Sequence, residues 1–114
     1  MDKTSFYTKP NGKSPIKEFL NKSNEALRTK ILRQIKYIQE YGLTPSIPNL
    51  KKISGIPFWE IRILGKDNVR IFCTSLPNKE VKILHIFAKK KQKTPLKEIN
   101  LALQRYKEVM SQAS

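Results

Sequence analysis

Two arginines stand in segments that alternate between apolar and polar side chains. Arg62 lies in Phe58-Trp59-Glu60-Ile61-Arg62-Ile63 and Arg70 in Val69-Arg70-Ile71-Phe72-Cys73-Thr74. A guanidinium keeps its charge in a protein and grips phosphate through two parallel donors, so it holds and stabilises anions but makes a poor base. Shortly beyond comes Lys89-Lys90-Lys91-Gln92-Lys93, a run of mobile point charges, and Lys51 and Lys52 supply two more cations upstream. Alternation along an extended strand places Arg62 with Phe58 and Glu60, and Arg70 with Phe72 and Thr74. With Trp59, Ile61, Ile63, Val69, Ile71 and Cys73 turned toward the core, both arginines are expected on an open sheet face, within reach of one phosphate and bordered by the lysine loop. The alternative is that they are solvated or pair with Glu60. Phe72 on that face is a candidate for stacking on a base, whereas Trp59 and Phe87 are expected in the core. His85, the single histidine, has two readings: a proton shuttle near neutral pH, or a satisfied core residue amid Ile83, Leu84, Ile86 and Phe87.

Other chemistries lack their residues. There is no Gly-rich phosphate loop, no metal-ligand spacing and no nucleophile elbow. Cys73 is the single cysteine, which leaves no internal disulfide and no Cys-ligated zinc, and it is expected buried and inert. Neither a metal nor another cofactor is expected. With 23 Lys plus Arg against 9 Asp plus Glu in 114 residues, the formal net charge is +14. Such a field draws polyanions, nucleic acid first and an acidic protein second. An apolar content of 39% is too high for a disordered tail. No apolar run approaches a membrane span and no signal-peptide core follows Met1, so a cytoplasmic protein without membrane attachment is expected. The length suits one domain over residues 1–114.

These candidates need elements to position them. Thr4–Thr8 reads as a first strand, and Asn11-Gly12 as a turn. Ser14-Pro15 is a cap followed by proline, opening a helix toward Leu20. A second helix is predicted from Ser23 or Asn24 to Tyr41, stopped by Gly42, with Leu27, Ile31, Ile35 and Ile38 as its buried stripe. Arg28, Lys30, Arg33 and Lys36 form its solvated side. Pro45 and Pro48 keep the next stretch extended. Phe58–Leu64, Val69–Leu76 and Glu80–Ala88 read as an antiparallel meander with short turns. Thr94-Pro95 repeats the cap-and-proline signal before a last helix, whose shared face is Leu96, Ile99, Leu103, Tyr106 and Met110. The fold class is α+β: a small antiparallel sheet with the N-terminal helices packed on one face and a C-terminal helix.

Taken in order, Leu50-Lys51-Lys52-Ile53-Ser54-Gly55, Phe58-Trp59-Glu60-Ile61-Arg62, Val69-Arg70-Ile71, Ile83 through Lys90 and Gln92-Lys93-Thr94-Pro95 carry a resemblance. The helix with Glu98 and Ala102 continues it, and Tyr7, Gly12-Lys13-Ser14-Pro15 and Phe19-Leu20 extend it over nearly the whole chain. This ordered set is similar to the phage-derived, HigB-like toxins of the RelE/ParE superfamily. The resemblance implies the RelE-like fold and a toxin of a type II toxin–antitoxin pair that cleaves mRNA on the ribosome. It also implies a helix-turn-helix, HigA-like antitoxin that neutralises the toxin, and operator DNA contacted only through that antitoxin. Arg62 and Arg70 match the basic strand residues such toxins use on RNA, and Lys90 lies near the basic position after the last strand. Where several RelE-type members carry a tyrosine or an Asp and His pair, this chain has Lys93-Thr94-Pro95-Leu96.

RNA cleavage without a metal proceeds by attack of a ribose 2′-hydroxyl on its own phosphate. Arg62 and Arg70 would stabilise the developing charge. Lys89 and Lys90 are candidates for proton transfer, with His85 as the alternative base if its ring reaches the open face. Lys91, Lys93, Lys51, Lys52 and Phe72 would bind RNA. Two rivals stand beside this reading: a ParE-like toxin that inhibits DNA gyrase without nuclease activity, and a non-catalytic nucleic-acid-binding module.

Overall fold

The computed structural model describes residues 3–90 and 93–113. Local signals start the N-terminal helices as expected. The Ser14 Oγ accepts from the Lys17 N–H at 3.3 Å and opens α1, Pro15–Lys22. The Asn24 side chain accepts from the Leu27 N–H at 2.8 Å and opens α2, Glu25–Tyr41. Gly42 ends α2 with a φ of 76° that other residues rarely adopt. Leu27, Ile31, Ile35 and Ile38 are the buried stripe of α2. One residue of its outer side is structural: Arg28 donates to the Leu20 and Ser23 carbonyls at 2.9 and 2.7 Å. It thereby satisfies acceptors that the end of α1 leaves open.

The strands are β1 (Lys3–Phe6), β2 (Leu50–Lys52), β3 (Trp59–Ile63), β4 (Val69–Leu76) and β5 (Glu80–Ala88), in the spatial order β1-β5-β4-β3-β2. The meander of β3, β4 and β5 is antiparallel as expected, but β1 joins β5 in parallel, which makes the sheet mixed. β1 also begins and ends earlier than the predicted Thr4–Thr8. The strand β2, paired antiparallel to β3, has no counterpart in the sequence reading, because three residues are too few to display a period of two.

β4 is central and covered on both sides: Val69, Ile71 and Cys73 point to one face, Arg70, Phe72 and Thr74 to the other, and all six are buried. The first face packs under α1 and α2. The second receives the C-terminal helix α3, Leu96–Ala113, against β4 and β5. Pro95 precedes α3, and its carbonyl accepts from the Glu98 and Ile99 N–H groups at 3.0 and 3.4 Å. Leu96, expected in the buried stripe, is 72% exposed; among the described residues of α3, Ala102, Arg105 and Val109 are buried, with Ile99, Leu103 and Tyr106 partly covered. Ala102 is fully buried, and Met110, also expected in the stripe, is half-buried.

A bulge between β4 and β5 decides where His85 goes. Phe72 pairs with His85 but Cys73 pairs with Ile83, so Leu84 has no partner across the ladder. Ile83 and His85, two residues apart, therefore lie on opposite faces. Arg105 from α3 donates to the Leu84 carbonyl at 2.9 Å, satisfying the group the bulge leaves open. Among the described residues no helix is long and apolar enough to cross a membrane.

Candidate nucleic-acid interface

The register puts Arg62 directly opposite Arg70 on neighbouring strands. The two are in different environments. Arg62 lies exposed, while Arg70 is 5% exposed. Burial, and then the charge of Arg62, pull the Arg70 guanidinium below its usual range, with Glu60 opposing. It is held from both sides: Asn68 Oδ1 accepts from it at 2.9 Å, and Glu60 stands 3.6 Å from its Nε. The pairing with Glu60 is the alternative that the sequence reading left open, and the guanidinium, though buried, borders the site's concavity.

Around the two arginines lies a concavity of about 300 Å³, lined by Asn49, Leu50, Lys51, Glu60, Arg62, Arg70, Lys89 and Thr94. Four cations and one carboxylate converge there. Lys51 reaches it because it pairs with Glu60 on the same face. Lys89 reaches it because Asn68 fixes the end of β5: the Asn68 carbonyl accepts from the Lys89 N–H at 2.9 Å, and the Asn68 amide donates to the Lys89 carbonyl at 2.6 Å. Asn68 adopts a φ of 51°, the left-handed region that asparagine tolerates better than most residues. One turn residue therefore orients both Arg70 and Lys89.

Other expected site residues go elsewhere. Phe72 is 1% exposed, packed between the rings of Phe58 and Phe87 with centroids 5.2 Å from each. No base can reach it, because α3 and the rings of Phe58 and Phe87 cover the face that was expected to stand open. Phe87 is in the core as expected. His85 also lies on this side of the sheet, but beneath α3. Its Nε2 is 2.8 Å from Glu98 and its Nδ1 3.3 Å from Arg105, and its ring stacks on Phe87. Burial, aided by Arg105, lowers its pKa against the pull of Glu98. It is a satisfied core histidine and does not line the concavity. Lys52 turns toward the loop after β2, donating to the Ile53 and Ile56 carbonyls. Lys90 and Lys93 are exposed and line no part of the concavity. Lys91 lies outside the described residues. Cys73 is fully buried and its thiol is pushed up to about 12, as expected of an inert core cysteine.

Four lining or supporting residues escape a reading of the sequence. Glu60 stands out there only as an ion-pair partner, Thr94 only as a helix cap and part of the family pattern, and Asn49 and Asn68 have no site role. Asn68 does carry a signal: an asparagine in a turn, two residues before a strand arginine, reaches that side chain with its own amide.

The chain matches, over residues 18–107, the family described as phage-derived protein, Gp49-like. No curated protein matches it significantly in sequence. Among solved structures, it is similar to an arginine-to-alanine double mutant of the Escherichia coli toxin RelE in its free state. That alignment has 16% sequence identity and a TM-score of 0.63, and covers 91% of this chain and 96% of that one. The sequence match meets the expected likeness to phage-derived proteins, and the structural match meets the expected RelE-like fold. This chain belongs to the Gp49-like family of phage-derived proteins and carries a RelE-like fold.

Proposed function

We propose that the protein is the toxin of a type II toxin–antitoxin pair and cleaves mRNA bound to the ribosome. The observation that carries this reading is the convergence of Arg62, Arg70, Lys51 and Lys89 on one concavity with a single carboxylate, Glu60. A phosphodiester seated there meets two guanidinium groups at its non-bridging oxygens. A carboxylate accepts a proton where a guanidinium cannot, so Glu60 takes the role of base. It removes the proton of the ribose 2′-hydroxyl, and the 2′-oxygen forms a bond to phosphorus. The bond from phosphorus to the 5′-oxygen breaks, and the Lys89 ammonium gives that oxygen a proton. The products are a 2′,3′-cyclic phosphate and a 5′-hydroxyl. Arg62 and Arg70 stabilise the charge that gathers on the phosphate between these steps.

The set is small, and positioning by the ribosome would supply much of the remaining rate. Little cleavage of free RNA is therefore expected. The net charge of +14 also suits a neutralising partner with acidic segments, the role of a helix-turn-helix antitoxin. Primer extension on a defined message in a reconstituted translation reaction tests the reading. New 5′ ends that require both ribosomes and the native protein support it. Intact message with unimpeded translation overturns it, and a gyrase-dependent DNA break would then identify the target instead.

A further inference from the structure

A second hollow, of about 240 Å³, opens where α2 passes the end of β3. Lys30, Arg33 and Gln34 line it from α2, with Asn49, Arg62, Ile63 and Leu64 opposite. Asn49 and Arg62 belong to both hollows, so the two adjoin at the end of β3. Unlike the first, the second has no carboxylate in its wall among the described residues. The Lys30 ammonium is held at its rim by the Leu64 carbonyl, 3.1 Å away, which leaves further donors of that ammonium for a ligand. Gln34 is likewise tied to the Pro48 carbonyl at 3.1 Å. Arg33 makes no ion pair or side-chain hydrogen bond among the described residues. Leu64, 57% exposed, adds an apolar surface beside the cations. One tethered cation, Lys30, and one cation without a counter-charge, Arg33, next to an apolar surface, suit a phosphate with its sugar attached.

We propose that this hollow binds the phosphodiester adjacent to the cleaved one in the same RNA strand, with Arg62 bridging the two phosphates. The inference rests on the function proposed above and assigns Lys30 and Arg33 a part in it; their place on a solvated face of α2 had suggested none.

Single-turnover cleavage on programmed ribosomes tests it, comparing native protein with the double variant Lys30→Ala, Arg33→Ala. Both side chains are exposed, so the variant should fold, and its thermal unfolding serves as the control. The half-saturating toxin concentration should rise roughly tenfold while the maximal rate stays nearly constant. A message bearing one uncharged methylphosphonate beside the cleaved bond should weaken the native protein at least roughly tenfold, and the double variant, which keeps only Arg62 at that phosphate, by clearly less. Losses that add instead would place a ribosomal RNA phosphate in the hollow and overturn the same-strand assignment. An unchanged half-saturation, or a loss confined to the maximal rate, would overturn the site itself.

Binding of an oligonucleotide with a 2′-deoxy residue at the scissile position provides a readout that does not depend on cleavage. The double variant should show a salt dependence shallower by about 0.7 in logarithmic slope for each phosphate it no longer neutralises; an unchanged slope would overturn the site. If Arg70→Ala abolishes cleavage while the double variant behaves as native, only this inference fails. If native protein cleaves nothing, the functional reading fails and the oligonucleotide still decides the hollow.

Discussion

Arg70→Ala should damage both catalysis and stability, and the two losses can be separated. In catalysis, removing a donor aimed at developing charge costs about 3–4 kcal/mol, or roughly 10²–10³ in rate. In stability, the side chain is 5% exposed and bonded to Asn68 at 2.9 Å. Losing such a charge-assisted bond costs about 1.5–3 kcal/mol. Glu60, whose side chain is only 12% exposed, would also lose its cation and remain partly desolvated. The expected total is about 2–4 kcal/mol, a fall in Tm on the order of 10 °C for a domain of this size. Urea unfolding gives the stability. Cleavage on programmed ribosomes, at a temperature where both proteins are folded, gives the rate. Glu60→Gln completes the cycle: in that background Arg70→Ala should cost about 1–2 kcal/mol less stability, because no carboxylate is left unpaired. A folded Arg70→Ala protein that cleaves within about threefold of native would refute the phosphate role, which requires a far larger loss. Additive stability losses would refute the pairing with Glu60.

Three further outcomes are expected. Phe72→Ala should lose about 3–5 kcal/mol in urea unfolding, whereas Phe72→Leu should remain folded and cleave normally; an active-site defect in the leucine variant would contradict the core assignment. His85 has a folded-state pKa lowered by burial, so the unfolded chain binds its proton first as pH falls. Its share of stability is therefore complete above the ordinary histidine pKa near 6.5 and declines below it. Tm measured from pH 7.5 to 5 should fall more steeply for native protein than for His85→Gln. Asn68→Gly keeps the positive φ and the backbone bond to Lys89 but removes the side-chain bonds to Arg70 and to the Lys89 carbonyl, so cleavage should drop roughly tenfold with only a modest change in Tm. Asn68→Ala, strained in the left-handed region, should be the less stable of the two by thermal unfolding.

The features that can be read from residues alone are those encoded within a few positions. Ser14 and Asn24 cap their helices through bonds that span three residues, and Gly42 ends α2 by its own backbone freedom. Alternation along β3 and β4 puts Arg62 and Arg70 on one face, because successive side chains of a strand point to opposite sides. The charge is equally plain, and so is the family pattern.

What tertiary structure alone decided depends on groups far apart in the chain. The Leu84 bulge turns His85 away from the face of Ile83, and no local signal marks it, because a bulge arises between two strands. Whether the second face stood open depended on α3. It is drawn onto the sheet by Arg105 at the Leu84 carbonyl and above the Tyr7 ring, and by the 2.7 Å bond from the Tyr7 hydroxyl to Glu108. That bond links residues 101 positions apart. The same covering buried Phe72 and His85, leaving the β3 end uncovered for Arg62, Glu60 and Lys51. Residue type and spacing decided which side chains could hold a phosphate; long-range packing decided which of them water, or an RNA strand, can reach.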